Sequence, residues 1–239
     1  MESIPCPHCQ QPVTGHYCAA CGELRPEPLR PAHLLGPSLE QLGQLDGPIG
    51  RTVLALLRAP SQLITSYWRG ERRHYSHPMK LVFWATTLFV AALTFSGLLA
   101  SVTLVDQAAL KWLPLVLALN NYLVFVYLLP VAWLGKYLLR DERNVTEAYV
   151  ALLFATALTL LLKLIVLPLG FVFVDVTFWL HRFLGPAIYM WMLYPLLKGE
   201  RFGRIVRGFG LHALYFAMSL LGNTGVVTLA TMVERWHLS

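Results

Sequence analysis

The chain has 239 residues, 56% hydrophobic and only 13% charged, with a net charge of +6. Soluble domains carry about 25% charged residues, and here the mean hydropathy is +0.55, which excludes an ordinary soluble globule. No element gathers Arg and Lys into a nucleic-acid-binding face, so the positive excess belongs at a membrane surface and no nucleic-acid partner is expected.

Residues 1–24 carry "CPHCQQPVTGHYCAACG". Cys6 and Cys9 form one C-x2-C pair and Cys18 and Cys21 a second. Each such turn offers two thiolates, and four thiolates satisfy the tetrahedral preference of zinc. The intervening "QQPVTGHY" is long enough for a short hairpin. A segment this small has no apolar core, so a structural Zn2+ ion would supply its folding energy. Free thiols or two disulfides are the plainer alternatives, and iron can occupy the same ligand set. His8 and His16 are expected to be solvent-exposed bystanders. A filled tetrahedron leaves no open position, so the site reads as structural and not catalytic.

Residues 25–37, "RPEPLRPAHLLGP", form a Pro-rich linker that cannot be a regular helix. Residues 38–80 read as amphipathic interfacial helices and a basic collar. In "IGRTVLALLRAP" the side chains Val53, Leu54, Leu56 and Leu57 recur at near-helical spacing, and Pro60–Ser61 opens a second helix. Leu63, Ile64, Tyr67 and Trp68 share its apolar face, and Gly70 stops it. The collar, "RGERRHYSHPMK", places Arg69, Arg72, Arg73, Tyr75 and Lys80 within a turn or two of the bilayer. A plain topology anchor is the leading reading of these residues. A lipid-headgroup or partner site built around Arg72 and Tyr75 is the alternative.

Five apolar blocks follow, at about 81–104, 112–135, 147–169, 177–197 and 209–232, each near the length of a bilayer-spanning helix. Four spans is the main competitor, and a re-entrant stretch at "GFVFVDV" is an open alternative. With a cytoplasmic N-terminus, fifteen Lys and Arg residues fall on the inside and three, Lys111, Arg182 and Arg235, on the outside. The positive-inside rule therefore predicts a cytoplasmic N-terminus and a periplasmic C-terminus. The first residues carry no signal-peptide pattern, so the first apolar block is expected to act as an uncleaved anchor.

Ionisable and amide groups within spans are functional candidates. Lys163 lies in "LTLLLKLIVL", with no carboxylate in the spans as an obvious partner, and snorkelling is its plainer explanation. Asn120, Asn121, His212 and Asn223 suit hydrogen bonding between helices. Asp175, His181 and Arg182 read as an interfacial group. "NVT" at 144–146 reads as a cytosolic sequence match without consequence. No metalloprotease, phosphate-loop or nucleophile-elbow motif is present, so no enzyme is expected.

The order of motifs resembles an uncharacterised bacterial membrane family catalogued as domain of unknown function 3667. Its pattern is a second knuckle of the form Tyr17 to Gly22, then a helix opening with Asp46, Gly47, Arg51 and Thr52. Pro60, Tyr67, Gly70, Arg72, Tyr75 and Pro78 then lead into the first span. Gln10 departs from the glycine common after the first knuckle. The resemblance implies an inner-membrane protein and no known activity.

The expectation is thus an all-α integral membrane protein of about five transmembrane helices with a small N-terminal zinc-ribbon-like knuckle. It would sit in the bacterial inner membrane. The leading functional expectation is a non-enzymatic adaptor, assembly or regulatory protein whose knuckle docks a protein partner. The alternative is a small transporter or lipid-handling protein using Lys163, His212 and the asparagines.

Overall fold

The computed structural model describes residues 4–23, 25, 29–31, 34, 48–72, 74–96 and 121–238. Two short strands, β1 (Ile4–Pro5) and β2 (Pro12–Val13), pair antiparallel with Ile4 opposite Val13. Two ten-residue helices follow, α1 (Ile49–Arg58) and α2 (Pro60–Arg69). The bundle is then built from α3 (Pro78–Phe95), α4 (Val124–Leu138), α5 (Val145–Val166), α6 (Val174–Leu193) and α7 (Arg201–Leu238).

Three of these segments are long and apolar enough to cross a membrane: Pro78–Phe95, Val145–Phe171 and Arg201–Val226. The apolar α4 is shorter, and the residues before 121 that would complete the second expected span lie outside the described residues. The last helix starts at Arg201, before the expected 209, and its 38 residues correspond to about 57 Å, beyond the roughly 30 Å of a hydrocarbon core. The stretch "GFVFVDV" forms no re-entrant helix. A 3-10 segment, Leu167–Phe171, turns the chain from α5 into α6, with Phe171, Val172 and Phe173 exposed.

The central helix is α5, buried from Thr146 to Leu160. Helices α3, α4 and α6 pack around it, and α7 closes on α4 and α6. Small residues allow close approach, as is usual where lipid offers no hydrophobic drive between helices. A Cβ on Gly135 would meet Ala148 at 3.7 Å, and one on Gly208 would meet the Met190 sulfur. At the collar end an antiparallel bridge, Leu139 with Leu197, ties the ends of α4 and α6. There Arg140 N–H donates to the Leu196 carbonyl at 2.9 Å and Arg140 Nε to that of Leu197 at 3.0 Å.

Helices α1 and α2 dock on this bundle through the face anticipated for α2. Leu63, Ile64, Tyr67 and Trp68 are all buried, Tyr67 lies edge-on to Phe154 at 5.4 Å, and Gly70 ends the helix at φ +108°. Only part of the α1 apolar set is used. Leu56 is buried and Val53 packs on the core, while Leu54 and Leu57 stay exposed, suited to the headgroup boundary. Trp68 Nε1 donates to the Glu147 carbonyl at 3.0 Å, and the Arg143 guanidinium lies 4.7 Å from the Trp68 ring centroid.

That contact falls on the start of α5, which is capped with unusual completeness. The Asn144 side chain accepts from Glu147 N–H at 2.8 Å, and the Glu147 carboxylate accepts from Asn144 N–H at 3.1 Å. Asn144 Nδ2 also donates to the Leu29 carbonyl at 3.1 Å. Asn144 and Glu147 thus form a capping box, a signal legible as N-x-x-E before an apolar run and distinct from the "NVT" match. Asn144→Ala is expected to lower stability by about 1 kcal/mol or more. Asn144→Asp should recover part of it by keeping the cap while losing the Leu29 bond. Reversible denaturant unfolding of the purified protein checks both.

Candidate functional site

The four cysteine sulfurs all lie within 4.8 Å of one another. Cys6 and Cys21 are 3.6 Å apart at Sγ, and Cys9 and Cys18 are 3.4 Å apart. These separations are far from the about 2.05 Å of a disulfide. They approach the roughly 3.8 Å edge of a tetrahedron whose metal–sulfur bonds are about 2.3 Å. The four cysteines are thus free and placed to hold one soft metal ion, as the spacing predicted.

The backbone explains why the sulfurs converge. The two knuckles repeat the same hydrogen bonds: Gln10 N–H to Cys6 carbonyl at 3.0 Å matches Gly22 N–H to Cys18 carbonyl at 2.8 Å. Cys6 N–H to Gln11 at 2.9 Å likewise matches Cys18 N–H to Glu23 at 2.8 Å. The backbone N–H groups of Cys21 and Ala20 point at the Cys18 sulfur and pull its thiol down to about 7, favouring the thiolate that a metal requires. The residue after each second cysteine is left-handed, Gln10 at φ +62° and Gly22 at φ +70°. His8 and His16 are exposed, as anticipated.

The knuckle is not detached from the rest of the chain. Glu23 is buried at 2% exposure and its carboxylate accepts from the Arg72 backbone N–H at 3.3 Å. The His8 and His74 rings lie 4.4 Å apart, and Arg51 Nη1 is 3.4 Å from His74 Nδ1. A cleft of about 350 Å³ between knuckle and collar is lined by Pro7, His8, Arg51, Glu71, His74 and Tyr75.

The collar residues are therefore distributed over different tasks. Arg69 is exposed. Arg72 is folded back, with Nε donating to the Tyr67 carbonyl at 3.4 Å. Tyr75 packs partly buried against the core. Lys80 was expected at headgroup level but is 95% buried, because the collar and α1 fold over the start of α3, where Ser76 N–H donates to the Thr52 hydroxyl at 2.7 Å. Arg73 lies outside the described residues.

A second site lies inside the bundle, a cavity of about 260 Å³. Thr156, Thr159 and Lys163 of α5 face His181, Arg182 and Gly185 of α6, with His212 and Ser219 of α7 opposite. Phe89 and Leu93 of α3 close its apolar side, and Asn121 lies at the approach to α4. Lys163 stands eighteen residues past Val145, about 27 Å along α5, so the cavity sits in the half of the bundle remote from the collar. No carboxylate is among its lining residues.

Several of the lining polar atoms are already engaged. The hydroxyls of Thr156 and Tyr189 lie 2.8 Å apart, and Thr159 donates to the Ala155 carbonyl. Others are not: His181 Nε2 and His212 Nδ1 are buried with no partner. The His212 ring stands edge-on to Tyr189 at 4.9 Å and fits because position 185 is glycine. A Cβ there would approach His212 Cε1 to 2.8 Å.

The structure brings Lys163 and His212, already grouped in the transporter reading, to one cavity. It adds His181, which had been grouped with Asp175 and Arg182. No ion pair joins Asp175 to Arg182 among the described residues. The signal for His181 was the spacing Thr177, His181, Gly185, all buried on one face of α6. Asn223 falls on α7, and Asn120 lies outside the described residues.

The segment linking the two sites decides the family resemblance. Residues 46–90 match the model of a family described as Protein of unknown function (DUF3667). The match runs from the opening of α1 through the collar into α3 and includes the residues from Asp46 to Pro78 on which the resemblance was read, while the knuckle residues Tyr17 to Gly22 lie outside it. No curated protein and no solved structure matches the chain.

A left-handed conformation costs a residue with a Cβ about 1 kcal/mol. Gln10→Gly should therefore tighten the knuckle by about that amount, and Gly22→Ala should loosen it comparably. Competition of the purified protein against a metal chelator reads both signs.

Proposed function

We propose that this chain is a non-enzymatic membrane protein that binds a small polar or amphipathic ligand within its helical bundle, as a small transporter or lipid-handling protein. The observation that carries the reading is the cavity on Lys163, where His181 Nε2 and His212 Nδ1 are buried without partners. Native proteins leave few buried polar atoms unsatisfied, and those that persist usually face a water or a ligand. In this reading the knuckle is a structural zinc clasp that steadies the collar through Glu23. Zinc is favoured over iron because a closed thiolate tetrahedron suits an ion without redox needs.

We also infer that all five bundle helices cross the bacterial inner membrane, with the knuckle cytoplasmic and the C-terminus periplasmic. Support comes from the fifteen-to-three distribution of basic residues and from the 20-residue length of α6, about 30 Å. The adaptor reading keeps one specific support: Tyr17 is 66% exposed on a knuckle face that does not meet the collar contacts.

One comparison separates the two readings. Protein purified from native membranes is extracted, and bound small molecules are identified by mass spectrometry. A ligand-binding protein should carry a species that Gly185→Leu, which fills the His212 side of the cavity, lacks. Cys18→Ser should retain that species if the bundle stays folded. Identical extracts from the parent and Gly185→Leu would remove the cavity reading. Loss of a defined protein partner with Cys18→Ser alone would favour the adaptor.

A further inference from the structure

The cavity has a sign and a hydrogen-bonding pattern, and both restrict what it takes. Its charged lining residues, Lys163 and Arg182, are cationic, and no carboxylate lines it among the described residues. An ammonium on a partly buried cavity wall favours an occupant that carries negative charge. His181 is 94% buried and its Nδ1 lies 2.9 Å from the Thr177 carbonyl. A carbonyl only accepts, so Nδ1 is the protonated nitrogen. In the neutral ring Nε2 is then a bare acceptor, and it makes no hydrogen bond among the described residues. His212 Nδ1 is equally uncommitted and donates in the matching tautomer.

An occupant that answers all three groups therefore has anionic oxygens for Lys163 and His212 and a hydroxyl for His181 Nε2. A carboxylate lacks the hydroxyl, and sulfate carries none near neutral pH. A phosphate that keeps one proton has both. We propose that the cavity binds a phosphate group bearing a P–OH, held by Lys163 and His212 through its charged oxygens and by His181 through its hydroxyl, with Arg182 at the rim. This rests on the ligand-binding reading above and specifies its chemistry. Inorganic phosphate reaching the site from water and a phosphate monoester headgroup entering from the bilayer share that chemistry.

The test uses the full-length protein in phosphatidylcholine nanodiscs, with thermal stability titrated by three soluble or lipid probes. These are inorganic phosphate, phosphatidate as a minor lipid, and diacylglycerol as the same lipid without its phosphate. Saturable stabilisation by inorganic phosphate or by phosphatidate is expected, and which of the two acts identifies the source. Lys163→Gln should weaken it about tenfold, the loss expected when a charge-assisted hydrogen bond goes. Lys163→Arg should stay near the parent. Arg69→Gln, on the exposed collar, should change it less than about twofold. If the glutamine variant does not fold, Lys163→Met removes the same charge on an unbranched chain and must give the same loss.

Unchanged phosphate or phosphatidate binding in the Lys163 variants overturns the proposal. So does equal stabilisation by inorganic sulfate, titrated alongside the three probes as a control. Diacylglycerol acting as well as phosphatidate overturns it too, but leaves the ligand-binding reading standing. Stabilisation by none of the probes, together with identical extracts from the parent and Gly185→Leu, removes both.

Discussion

The start of α5 is the joint on which the molecule depends. Four orphan N–H groups open every helix, and this one is packed from Thr146 to Leu160, where water cannot answer them. Asn144 and Glu147 satisfy two of them reciprocally. The same two residues then hold the rest of the chain. Asn144 reaches the Leu29 carbonyl of the linker, and the Glu147 carbonyl accepts from Trp68 of α2. Arg143 completes the arrangement, stacked on Trp68 and 3.6 Å from Glu147. A capping device thus becomes the point where linker, α2 and membrane bundle meet.

The knuckle extends that joint outward. Its apolar cluster is little more than the cysteines and Val13, and those cysteines are placed to hold one metal ion that would add to its folding energy. Glu23 follows directly on the second knuckle turn and contacts Arg72, whose Nε holds the end of α2. Geometry at the metal is therefore passed to the collar through two residues, and from the collar to Trp68 and α5. This chain of contacts ties the cysteine knuckle to the helical bundle.

Local features were legible before the fold was seen. The paired C-x2-C spacing, the buried face of α2 and the left-handed Gly70 each follow from rules that operate within a few residues. Features that depend on distant partners were not. Lys80 reads as a headgroup residue until α1 is known to cover the start of α3. Glu23 has no signature as a clasp, because its partner lies 49 residues away. His181 was assigned by sequence neighbours to the membrane boundary, whereas the helical repeat turns it inward with Gly185. Asn144 is legible as a cap from the glutamate three residues ahead, a signal local to four residues.

Among the described residues, the polar cavity of the bundle spans the end of the buried run of α5, from Thr156 to Lys163. From Thr146 to Leu160 the helix is enclosed, and from Leu161 to Lys163 it is only partly so. Placing a lysine in a membrane helix costs roughly 2.5–3.5 kcal/mol on insertion scales. A leucine at 163 would avoid that cost and continue the apolar run around it. Gly185 forgoes a side chain at the same level to admit the His212 ring, and two imidazole nitrogens are left unsatisfied. Packing explains none of these choices, because each weakens the bundle locally. They become consistent once the space is treated as a place for something other than the protein: the lysine supplies charge, the glycine supplies room and the histidines supply direction.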